Sequence, residues 1–212
     1  YYLGYMKKGL SLAQNIDLLF FDGNAKLSQE YNRLFASVFS NPEEMKRIVN
    51  FLGTKHIGFT RKEIMEALHV GTGGGLSKML NALIASDFID SYVPFGNGKR
   101  DERYRLTDPF CLFYQKFVKG QKALADDFWS QNIDSAPINI WRGIAFEEIC
   151  LLHIPQIKRA LGISGVSSTQ AAWSMKGDES TNGTQIDMII DRKDNIVNMC
   201  EMKFYNEDFS VN

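Results

Sequence analysis

The chain has 212 residues, 44% hydrophobic and 12% aromatic, enough to bury at least one core and to form one large domain or two small ones. Charged residues make up 23% and nearly cancel at a formal net charge of -1, which excludes a global electrostatic pull on nucleic acid and leaves such binding to local patches. Apolar runs fall far short of a bilayer span, no signal-peptide pattern opens the chain, and Cys111, Cys150 and Cys200 form no CxxC pair, so a cytoplasmic protein with reduced thiols and no membrane partner is expected.

Residues 1–40 read as helical. Ser11 can cap a run carrying Leu12, Ile16, Leu19 and Phe20; Asp22, Gly23 and Asn24 break it; Leu27, Tyr31, Leu34, Phe35 and Val38 then recur at helical spacing. Residues 41–108 are the most legible stretch. Asn41, Pro42 and Glu44 mark a helix start. Thr60 with Glu63 fits a capping box, and Phe59 with Ile64 a hydrophobic staple, opening a second helix to about Leu68. After a break at 71–75 a third helix is expected to bury Leu76, Met79, Leu80, Leu83 and Ile84. Residues 88–95 read as a strand, Gly96, Asn97 and Gly98 as a turn, and 103–106 as the returning strand. Three helices and a hairpin are the order of a winged helix-turn-helix. The hairpin carries Lys99, Arg100, Arg103 and Arg105, a candidate contact to nucleic-acid phosphates, diluted by Asp101 and Glu102; protein docking is the competing use of such a domain.

Residues 109–135 read as a Phe- and Tyr-rich helix and a polar linker. Pro137 opens a long helix to about Leu161, bent or broken at Pro155. A strand near 165–173, a polar loop over 176–183, and two strands at 185–191 and 196–204 complete an α/β order. The last two strands carry Asp187 and the triplet Glu201-Met202-Lys203. Metal-dependent phosphodiester cleavage needs carboxylates converging on Mg²⁺ and a cation to steady developing charge. On a strand Glu201 and Lys203 share a face, with Met202 turned to the core. Asp187 on the neighbouring strand can complete a metal pair with Glu201, and Glu147 on the preceding helix can add a ligand.

An acid-x-Lys triplet arises about once or twice by chance in such a chain, and Glu44-Met45-Lys46 and Asp191-Arg192-Lys193 are two more. Strand context singles out 201–203, and an ordinary surface acid-base pair stays open as the other reading. The functional reading requires Asp187 opposite Glu201, hence pairs such as Ile189 with Met199 and an odd-numbered connecting loop, for instance 192–196.

The order Gly143-x-x-Phe146-Glu147 on a helix, Ile186-Asp187 on a strand and Glu201-x-Lys203 on the next resembles the PD-(D/E)XK nuclease superfamily. Ile186 stands where the name-giving proline would. Together with Tyr1-Tyr2-Leu3, Gln14-Asn15-Ile16-Asp17 and Asp108-Pro109-Phe110, the chain resembles the C-terminal half of archaeal-type AAA-related ATPases. That resemblance implies a tail of an ATPase lid at 1–40, a winged helix at 41–108, a helical linker at 109–135, and a truncated restriction-endonuclease-like α/β domain at 136–212. It implies catalytic roles for Glu147, Asp187, Glu201 and Lys203, with Mg²⁺ on Asp187 and Glu201, and DNA and the upstream ATPase domain as partners. Both ends of the chain are expected to be cut. ATP would bind only upstream, because 71–75 is followed by Leu76, Ser77 and Lys78 rather than the Gly-Lys-Ser/Thr of a phosphate loop. A regulatory or docking module with an inactive nuclease-like fold is the alternative.

Overall fold

The computed structural model describes residues 2–71, 74–120, 125–175 and 182–204. Helices and small antiparallel sheets make an α+β chain. It divides into two compact units, one of Tyr1–Asp90 with Arg105–Asn139 and one of Ser91–Tyr104 with Ile140–Asn212. Among the described residues no helix is long and apolar enough to cross a membrane.

In the first unit α1 (Leu12–Phe20) starts at Ser11, whose hydroxyl accepts from the Gln14 N–H while Gln14 bonds back to Ser11. After α2 (Glu30–Val38) come α3 (Pro42–Leu52), β1 (Phe59–Thr60), α4 (Arg61–Leu68), α5 (Gly74–Ala85), β2 (Ile89–Tyr92) and β3 (Arg103–Leu106), with the strands in the order β1-β3-β2. Asn41 precedes α3 without a side-chain bond, so Pro42 and two acids in the first turn mark that start instead. Thr60 and Glu63 form the expected box, the Thr60 N–H lying 2.6 Å from Glu63 Oε2. His69 closes α4 in the left-handed region at φ 52°. The core stripe of α5 is narrower than expected: Leu76, Leu80 and Leu83 are buried, while Met79 and Ile84 flank it half-buried. The expected break at 71–75 lies partly outside the described residues.

The single helix expected after residue 109 is two pieces, and a further helix follows. Asp108 caps α6 (Pro109–Phe113), accepting from the Cys111 N–H at 2.6 Å. A π-helical turn, Tyr114–Val118, follows, and α7 (Phe128–Asn132) forms inside the stretch expected to be linker. The cap of α7 comes from 112 residues away: buried Asp17 accepts from the Trp129 N–H at 2.6 Å, and also from the Ser130 N–H and hydroxyl. A local reading of 109–135 has no access to that carboxylate.

Next come α8 (Ala136–Leu152), whose first turn belongs to the first unit, and α9 (Ile154–Ala160) of the second, interrupted at His153 with Pro155 in the first turn of α9. Then come β4 (Ser168–Met175), β5 (Thr184–Arg192) and β6 (Val197–Cys200), paired in that order. Most of the polar loop expected at 176–183 lies outside the described residues. Ile163, Met188 and Ile190 form the core, packed by Leu151, Ile154 and Ile157 from the helices and by Cys200 and Met202. The Phe95 N–H, in the hairpin segment of this unit, donates to the Ala172 carbonyl of β4 at 3.0 Å.

Candidate active site

The turn between β5 and β6 fixes the register on which the site depends. Asn195 adopts φ 64°, the Arg192 N–H donates to the Ile196 carbonyl at 3.0 Å, and the Arg192 guanidinium bonds to Asp194 and Asn198. A three-residue turn ending in a left-handed residue suits antiparallel strands, and asparagine tolerates that conformation. It sets Asp191 against Val197, Ile190 against Asn198, Ile189 against Met199 and Met188 against Cys200. That is the register expected from the sequence, and the ladder ends at the Met188–Cys200 pair, one step short of Asp187 and Glu201.

Two irregularities meet at Asp187. Between Ala171↔Ile189 and Trp173↔Ile186 one residue of β4, Ala172, faces two of β5, Asp187 and Met188, so a bulge falls there. On the other edge the ladder stops after Cys200. Arg192 and Ile196 begin an alternation that would make Ile186 and Met202 the next hydrogen-bonded rung. Instead the Met202 N–H donates to Asp187 Oδ2 at 2.8 Å, and Gln185 Nε2 donates to Asp187 Oδ1 at 3.2 Å. Asp187, a residue only 6% exposed, thus replaces a backbone acceptor with its carboxylate and holds the 201–203 segment against β5.

This corrects one expectation. Glu201 and Lys203 lie past the end of β6, and their side chains are 42% and 45% exposed rather than on a buried strand. They still leave the same side, forming an ion pair, while Met202 between them packs on the core. That bond to Glu201 raises the Lys203 pKa, and the charges of Glu201, Asp187 and Glu147 add to the effect against the opposing influence of burial. Glu201 is the acid paired with Lys203, and Asp187 and Glu147 act on it at longer range. Glu147 stands half-buried on α8, where burial first and then Glu147 push the neighbouring Cys150 thiol up. Next to it Glu148 is fully buried. Its spacing from Ile144 and Leu151 places it on the apolar stripe of α8, a signal the sequence reading passed over. Gln185, two residues before Asp187 on β5, was also missed; i and i+2 share a strand face.

Asp187, Glu201 and Glu147 outnumber Lys203, an excess of negative charge carried on hard oxygen donors. Mg²⁺ is commonly held by one or two carboxylates plus substrate phosphates, and each Asp187 oxygen keeps a second lone pair beyond its hydrogen bond. Among the described residues, no group of three or more His, Cys, Asp or Glu is arranged to hold a metal ion. Asp187 and Glu201 offer two carboxylates of the kind Mg²⁺ takes, fewer than an all-protein cage requires.

The basic hairpin is less concentrated than its sequence suggests. Lys99 and Arg100 are exposed in a short 3₁₀ turn at the tip. Arg105 lies in β3, its side chain 11% exposed and 3.8 Å from Asp90, and Arg103 is half-buried in the same strand. Two cations rather than four are presented at the tip, because alternate residues of β3 are committed to the sheet. Matched against protein-family models, curated proteins and solved structures, the chain finds no counterpart in any of the three.

Proposed function

We propose that residues 136–212 are a nuclease-like module of the PD-(D/E)XK type that hydrolyses phosphodiester bonds with a divalent cation. We propose further that a winged helix precedes it and that the chain is the C-terminal part of a cytoplasmic, AAA-related ATPase acting on DNA, with ATP bound by an upstream domain. One observation carries the nuclease reading: the β5–β6 register brings the Asp187 carboxylate onto the Met202 N–H, between Glu201 and Lys203, with Glu147 in electrostatic reach of Lys203. The helix, strand, helix, helix, strand, strand order of α3 to β3, with β1-β3-β2 pairing, supports the winged helix.

In this reading Asp187 and Glu201 would hold Mg²⁺, which when bound supplies a Lewis acid and lowers the pKa of water. Asp187 also positions the Glu201 segment through the Met202 N–H. The Lys203 ammonium, a point charge on a flexible stem, steadies negative charge on the phosphate as it develops. Glu147 contributes a further carboxylate from the helix side.

The non-catalytic alternative has its own support, since both Asp187 oxygens serve the fold and Glu201 is occupied by Lys203. Cleavage of supercoiled and linear DNA with Mg²⁺, Mn²⁺ or EDTA separates the two. Glu201 and Lys203 are exposed enough for E201Q and K203M to fold, and each should abolish metal-dependent cleavage without changing the circular dichroism spectrum. Cleavage that survives both variants, or no cleavage alongside no calorimetric Mg²⁺ binding, would leave only the docking reading.

A further inference from the structure

A second polar site lies in the first unit, independent of the nuclease reading. Glu43, Lys46, Arg47 and Asn50 fall at i, i+3, i+4 and i+7, so they form one stripe on α3. Across from that stripe stand Tyr31 on α2 and, at the start and the C-cap of the π-helical turn, Tyr114 and Lys119. These residues line a cleft of about 180 Å³. Its walls are set by specific contacts. The Tyr31 and Tyr114 rings stack at 4.3 Å with a 1° interplanar angle, and the Tyr31 hydroxyl donates to Asn50 Oδ1 at 3.1 Å. The Lys119 N–H closes the turn on the Tyr114 carbonyl at 2.8 Å. Lys46, its side chain 14% exposed, is held by Glu43 at 2.7 Å and by Asn32 Oδ1 at 3.0 Å. One Arg47 Nη donates to the Leu68 carbonyl at 3.0 Å, which anchors the guanidinium and leaves donors of its fork available.

We propose that this cleft receives a phosphate group. Three cations against one carboxylate leave a charge of +2 at the lining, in a chain whose net charge is -1. A phosphate monoester carries about -1.5 to -2 at neutral pH, a close complement. The size agrees: drug-sized ligands fill pockets of about 300–1,000 Å³, so the cleft admits the phosphate and leaves the remainder of its bearer outside. With its oxygen taken by Tyr31, the Asn50 amide retains its NH₂ donors, and Arg47 suits two-point recognition of phosphate oxygens. Short π-helical segments also recur at functional positions. Glu43, 81% exposed at the rim, competes with an arriving anion for Lys46.

The test is calorimetric titration of the whole 212-residue chain with sodium phosphate at low ionic strength. Saturable one-to-one binding is expected, weakening as chloride is added. R47A and K119A should each weaken it about tenfold, the scale of one charge-assisted hydrogen bond. E43Q should tighten it, a gain of function that misfolding cannot mimic. No saturable binding, or an isotherm indifferent to R47A, K119A and E43Q, would overturn the proposal. Repeating the titration with a short DNA duplex present identifies the source. Competition assigns the cleft to a nucleic-acid backbone, and an unchanged isotherm with tight binding of dAMP assigns it to a free phosphate monoester.

Discussion

Asp108 joins a capping role to a buried charge. Its carboxylate accepts the Cys111 N–H, the bond that starts α6, yet burial raises its pKa above the ordinary carboxylate value and the hydrogen bonds offset this only in part. Because the folded state prefers the protonated form, the stabilisation is complete below the unfolded value, near pH 4, and is lost as pH rises through the raised folded value. D108N keeps an acceptor oxygen without the charge. Thermal melts should therefore show D108N gaining on the parent between about pH 4 and pH 7. D108A, which loses the cap, should cost about 1 kcal/mol near pH 4, and that cost should shrink toward pH 7 by the amount D108N gains. A D108N difference flat across that range would mean the carboxyl titrates alike folded and unfolded. At the same scale, the place of Asp187 beside the 201–203 segment was legible from the strand pattern, but its use as the acceptor for the Met202 N–H was not, because that use depends on where two irregular ladders end.

Among the elements, the π-helical turn is the piece least anticipated by periodicity, which cannot distinguish a wide turn from an ordinary one over five residues. What fixes it is a clamp from α3. Gln115 Nε2 donates to the Val49 carbonyl at 3.1 Å, and a Cβ added to Gly53 would sit 1.9 Å from Gln115 Oε1. Gly53 has φ -67°, so alanine suits the backbone there and the only obstacle is the Gln115 amide. G53A should displace that amide and cost about 1 kcal/mol, the scale of one hydrogen bond. In a Q115A background the same change should be neutral or stabilising. A double-mutant cycle by urea denaturation measures the coupling; additive effects would show that Gln115 yields freely and does not hold the turn. The contrast with α1 and α4 is physical. Their caps lie within four consecutive residues, so Ser11 and the Thr60–Glu63 box were readable, while the clamp on the π-helical turn spans 66 residues.

For the molecule as a whole, the sequence carried the element order, the hairpin register and the face of α5, all set by short-range patterns. It did not carry α7, tied to α1 through Asp17 across the chain. D17A would orphan the Trp129 and Ser130 N–H groups, at about 1–3 kcal/mol each, so a loss of about 3 kcal/mol in unfolding free energy is expected, and a loss below about 1 kcal/mol would show that water replaces the carboxylate. Charge distribution is the other whole-chain property. Total charge near zero gave no sign of nucleic-acid binding, and the structure reduces the four-cation hairpin to two exposed cations, Lys99 and Arg100, at its tip. The proposed duplex contact is accordingly small and distinctive. K99A/R100A should weaken duplex binding and lower the slope of log affinity against log salt by about 0.9 for each phosphate contact removed. R105A should leave that slope unchanged while reducing stability, because its guanidinium faces Asp90 within the sheet. Fluorescence anisotropy over a salt series reads both quantities. A slope that falls for R105A and not for K99A/R100A would move the DNA contact off the tip and onto the strand.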